Sequence, residues 1–323
     1  MPHAENPPFG AIIYYHLSRK PNDIRMEITD STGAHVRTIT SVVPTKFDRP
    51  PYPDYWLKDP RERALTTDIG TNRINWNLRY DDPLGLNPDI NNQMNAAPNS
   101  VTPGPHGPLV VPGTYTIKLI VDGTAYTQTV VVHNDPRIGE SPAMMNALRA
   151  QLRLAQLAAS GMTDSFNAND QVADVRAQLA RITAGSPPAD VATAATALAT
   201  KLAMFGGPAV GRGGGGGFGG PVRTPGSVLS FSGINNTFYT VVGPLTQNGI
   251  DMVPTPSEIR TWEAGCKEYT ATAAEWKSVL STDLPSFNSL LTKNGLQPLK
   301  LPAPVAAPTT CSFATPTRPT GRK

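Results

Sequence analysis

The chain has 323 residues, of which 33 are Pro and 28 Gly, and only 16% are charged against about 25% in an ordinary soluble domain. The excess of turn residues has no G-X-Y period, so it marks a globular chain of roughly two-domain length with long connections. A formal charge of +3 with scattered basic residues gives no footprint for nucleic acid, no apolar run reaches membrane-spanning length, and the polar, Pro-rich stretch from Met1 to Gly10 is unlike a signal peptide.

Strand patterns come first. Residues 11–17 form a short apolar run, and Ile24, Met26 and Ile28 alternate with polar residues at the period of a half-buried strand. A turn at Asp30-Ser31-Thr32-Gly33 returns the chain through residues 36–39. Ile74, Trp76 and Leu78 alternate next, then Tyr115, Ile117, Leu119 and Val121, and Asp122-Gly123 is a two-residue hairpin signal whose second arm is 125–132. Residues 109–111 are a candidate seventh strand. Six or seven strands with no helical interruption predict an Ig-like β-sandwich over 1–137, with two long loops at 42–69 and 81–111.

Helical patterns follow, predicting an α-helical bundle over 138–301 and an α+β chain of two domains. Ser141-Pro142 is a capped start, with Met145, Leu148 and Leu152 at helical spacing. Val172, Val175, Leu179 and Ile182 make a second stripe closed by Gly185, and Val191, Ala195, Leu198 and Leu202 a third. The stretch 206–226, centred on GRGGGGGFGG, reads as a flexible linker; no strand precedes it, so it is no dinucleotide-binding loop. Leu229, Ile234, Phe238, Val241 and Leu245 suggest another helix. Thr255-Pro256-Ser257-Glu258 is a capping box, and Ile259, Trp262, Cys266, Tyr269, Ala273, Trp276 and Leu280 follow at alternating steps of three and four, with Pro285 expected to kink or restart the helix. Residues 302–323, rich in Pro and Thr, are expected to be disordered.

The search for chemistry finds little. The five histidines stand apart, and no zinc, nucleophile-elbow or phosphate-loop motif occurs. No metal or cofactor is therefore expected. Cys266 and Cys311 make neither a disulfide framework nor a metal site, and Cys266, on the helical seam, is expected to be buried and inert. Asp135 and Arg137 are expected to brace the junction between the halves. The place where a site could sit is the pair of long loops, where Asp54, Asp81 and Asp82 accompany Tyr55 and Trp56; carboxylates beside aromatics suit sugar binding or glycoside hydrolysis. The competing reading makes these aromatics cover for the sheet and the carboxylates turn residues. Asn235-Asn236-Thr237 is a formal glycosylation sequon.

The stretches GAIIYYHL, MEITDSTGAHVRTI, GTNRINWNLRYDDP and GPLVVPGTYTIKLIVDGTAYTQTVVVHNDPR, with the terminal NSLLTKNGLQPL, resemble the C-terminal region of exported bacterial proteins that carry a sortilin-like or sialidase-like β-propeller. Such proteins, common in acidobacteria, are often labelled glycosyl hydrolases. The strand segments also resemble the Ig-like domain of flagellar hook-capping proteins and of cell-surface sorting modules. No propeller blade repeat or Asp-box occurs in this chain, so no propeller residue carries over. The resemblance implies an exported, non-enzymatic accessory module that docks, spaces or stabilises a β-propeller or another partner. The alternative is a carbohydrate-binding module or a fragment of a glycoside hydrolase.

Overall fold

The computed structural model describes residues 10–42, 64–86, 105–206, 230–246 and 252–314. The chain is α+β, with six strands followed by five α-helices among these residues. The strands are β1 (Ala11–Leu17), β2 (Ile24–Thr29), β3 (His35–Thr40), β4 (Gly70–Trp76), β5 (Gly113–Val121) and β6 (Thr124–Val132). They form two antiparallel sheets, β1-β4 and β3-β2-β5-β6. Residues at alternate positions on both sheets close on one core: Tyr15, Leu17, Ile74 and Trp76 from the smaller sheet meet Ile24, Met26, Ile28, Val36, Tyr115 and Ile117 from the larger. The Asp122-Gly123 hairpin forms as its residue types dictate, with both residues at positive φ. The candidate strand at 109–111 is reduced to a single bridge, Leu109 to Arg79.

The expected alternation through Leu78 breaks early. Strand β4 stops at Trp76, and Leu78 takes a left-handed φ of 56°. The chain reverses there, and the Trp76 indole N–H donates to the Arg79 carbonyl across the turn.

The helices are α1 (Pro142–Ala184), α2 (Ala189–Leu202), α3 (Phe231–Leu245), α4 (Pro256–Ser278) and α5 (Leu284–Lys293). The separate stripes at 145–152 and 172–182 belong to one helix, α1, of 43 residues and about 65 Å. Its middle buries Ala155, Ala158, Gly161, Ser165 and Ala168. Small side chains at core positions carry little hydrophobic signal, which is why the sequence pattern lapses there. The predicted capping box at Thr255 and Glu258 makes both of its bonds. Pro285 restarts the helix: a π-helical turn at Val279–Asp283 lets the Leu284 N–H reach the Val279 carbonyl, and Pro285 enters the first turn of α5, where no donor is needed. The helices share a second core around Phe205, Phe231, Phe238, Tyr269 and Trp276.

Two expectations for the C-terminal part are corrected. Cys266 and Cys311 form a disulfide. Sequence spacing concealed it because the partners lie 45 residues apart, one on a helix and one in irregular chain. Residues 302–314, expected to be disordered, pack along α4: Phe313 is buried edge-on against Trp262, and the Tyr269 hydroxyl donates to the Ala306 carbonyl. Residues 315–323 and the glycine-rich stretch 207–229 lie outside the described residues.

Residues 80–86 strap the sheets to the helices. The side chain of Asn235, only 2% exposed on α3, accepts from the Leu86 N–H and donates to the Leu84 and Met162 carbonyls. The sequon asparagine is thus a buried structural residue. Arg79, 7% exposed, donates to the Gly107 carbonyl and to the carbonyl of Thr246, the residue that caps the C-terminus of α3. A cation there meets the negative end of the helix dipole.

Candidate functional site

The sequence-predicted loop residues divide into two groups. Asp54, Tyr55 and Trp56 lie outside the described residues. Asp81 and Asp82 are described, and both carboxylates hold the fold together. Asp81 lies 2.6 Å from His35 Nε2 and accepts the Thr38 N–H, while its own N–H donates to the Val36 carbonyl. Asp82 accepts the Gly107 N–H at 2.8 Å and faces the Arg37 guanidinium at 3.5 Å. Asp81 therefore ties the strap to β3, and Asp82 ties it to the segment before β5. Asp135 and Arg137 form a local ion pair in the turn between β6 and α1, and the Arg137 guanidinium holds the Asp135 carboxyl down at about 2.

A cleft that sequence reasoning did not single out lies between the sheets. It has a volume of about 510 Å³. Its floor is apolar, from Met26 on β2 and Ile117 and Leu119 on β5; one wall is β1 and the other β6, with no β4 residue among the lining. The two-stranded sheet thus covers the four-stranded sheet only in part: Tyr115 and Ile117 of β5 are buried beneath it, while the cleft-side residues of β6 are exposed or half-buried. Tyr14 and Tyr126 on the rim are 65% and 59% exposed. Asp122 closes one end: its Oδ1 accepts the Asn22 and Asp23 N–H groups, and its Oδ2 meets Arg19 at 3.2 Å. The backbone N–H groups of Asp23 and Asn22, followed by Arg19, keep that carboxyl below the usual range.

Both walls are edge strands. Among the described residues β1 pairs only with β4, and β6 only with β5. A strand edge presents unsatisfied N–H and C=O groups in register, so such a cleft offers main-chain hydrogen bonds to an extended chain and apolar floor to its alternate side chains. The signal was present in the sequence TAYTQTVVV of β6, nine residues without a charge or a proline.

No grouping of His, Cys, Asp and Glu among the described residues could hold a metal ion, and no helix among them is long and apolar enough to cross a membrane. No family model matches the chain, and neither a curated protein nor a solved structure is similar to it at a significant level.

Proposed function

We propose that this protein is a non-catalytic interaction module, an Ig-like sandwich and a helical bundle joined as two domains, that receives an extended segment of a partner protein along β1 in the inter-sheet cleft. The observation that carries the reading is the cleft itself, with an apolar floor beside an edge of β1 that no described residue pairs with. The 2 + 4 strand arrangement around one core supports the Ig-like assignment. The disulfide supports residence in an oxidising compartment, where such bonds persist. The resemblance to propeller-bearing exported proteins makes a β-propeller the first partner to try, with the module docking, spacing or stabilising it.

The exposed pair Tyr14 and Tyr126 favours one second reading, a carbohydrate-binding module that stacks a sugar on the rim of the cleft. Titration of the isotopically labelled chain, followed by NMR, separates the two. Thr- and Val-rich nonapeptides are expected to shift the backbone amides of residues 12–17, and soluble cello- and chito-oligosaccharides are expected to shift none. Shifts at Tyr14 and Tyr126 with an oligosaccharide alone would replace the first reading by the second.

A further inference from the structure

The two outer strands of the four-stranded sheet are treated differently by the rest of the chain. The sheet order is β3-β2-β5-β6. The edge at β3 is covered: the Leu65 N–H donates to the Thr40 carbonyl, the Asp81 N–H donates to the Val36 carbonyl, and the Thr38 N–H donates to the Asp81 carboxylate. This edge also carries His35 and Arg37, each facing an aspartate. Charge and covering chain are the usual protections against edge-to-edge pairing. Among the described residues, the edge at β6 has neither. It is nine residues long, holds no charged residue and no proline, and residues 124–129 are all exposed.

We propose that β6 pairs antiparallel with β6 of a second copy of this chain, about a two-fold axis through Gln128. This goes beyond the partner reading above, because it concerns the outer edge of the larger sheet and needs no other protein. In an antiparallel pair, residues directly opposite each other point to the same face. Two identical strands related by an axis normal to the sheet meet that condition only when the axis passes through a residue. Gln128 is the midpoint of Thr124–Val132, so centring there pairs the whole strand. Tyr126 then faces Val130, Thr127 faces Thr129, Ala125 faces Val131, and Gln128 faces itself.

Every one of these pairs is uncharged. Aromatic against β-branched and Thr against Thr are among the stabilising cross-strand pairs. Tyr126, Gln128 and Val130 lie on the cleft side of the sheet, opposite Leu119, Ile117 and Tyr115 of β5. Pairing therefore joins two four-stranded sheets into one of eight strands. The open floors of the two copies become continuous, bounded at each side by a β1.

Sedimentation velocity of the full chain alone, across a range of micromolar concentrations, tests the proposal. A reversible dimer is expected. T127K/T129K puts lysine opposite lysine twice across the axis and is expected to raise the dissociation constant at least about tenfold. T127E/T129K puts glutamate opposite lysine at the same places, with the introduced carboxylate also beside Lys118 of its own chain, and is expected to restore the dimer. Both pairs of substitutions fall on exposed side chains, and circular dichroism melts confirm that each variant folds. A single-chain mass at all concentrations overturns the proposal. So does a dimer indifferent to T127K/T129K, or a T127E/T129K variant no tighter than T127K/T129K. The experiment contains no partner, so its failure leaves the reading of the β1 cleft to the titration described above.

Discussion

Phe238 is held between two glycines. A Cβ on Gly161 of α1 would lie 2.6 Å from its ring, and one on Gly265 of α4 would lie 3.2 Å from it. The missing side chains let three helices meet around one aromatic ring. Gly161→Val is therefore expected to cost about 1–3 kcal/mol or more through overpacking, read as a lower midpoint in urea unfolding with an unchanged slope. The acid limb of stability has its own residues. Burial works against the charge of Asp30, but hydrogen bonds from Thr32, Ala34 and Gly33 outweigh it and its carboxyl stays below 3.8. Asp135 lies lower still, at about 2, under the Arg137 guanidinium. Both carboxyls are depressed in the folded chain, so their stabilisation is complete above 3.8 and is lost as pH falls through the folded values. A D30N/D135N variant is expected to show a flatter decline of unfolding midpoint between about pH 4 and 2, in thermal melts at each pH.

At the level of elements, amphipathic pattern and capping chemistry predicted what they physically control. The alternation of β2 and β5, the Asp-Gly hairpin, the capping box of α4 and the restart at Pro285 depend on local residue types, and all are present. Continuity of α1 was not legible, because Ala155, Ala158, Gly161 and Ser165 fill its core face with small groups. The left-handed turn at Leu78 was not legible either, since a leucine gives no local reason for positive φ and the turn is held by Trp76 bonding to Arg79. The cleft was not singled out from sequence; Asp81 and Asp82, which were, lie outside it, and their partners are long-range, so only the fold shows them occupied. The disulfide likewise depends on a tertiary approach. Its removal tests the packing of the last segment: Cys311→Ser is expected to lower stability by about 2–4 kcal/mol and to speed amide exchange across residues 302–314, measured by mass spectrometry.

For the molecule as a whole, well-buried groups join the sheet core to the helix core among the described residues, with Arg79 and Asn235 foremost. Arg79→Met keeps most of the volume but leaves the Gly107 and Thr246 carbonyls without this donor. It is expected to lower coupling between the cores, so that a single calorimetric transition broadens or divides in two. The strap also sets an order of events. Its bonds join residues 79–86 to residues 149–167 positions further along the chain, on α3 and its cap. Sheets assembled on a nascent chain would thus wait, with Leu84 and Leu86 unplaced, until the segment beyond Leu245 had left the ribosome. Contacts of such long separation are slow to close. A chain interrupted before that segment would leave the strap without its α3 partners and the face of α1 that meets α3 uncovered together.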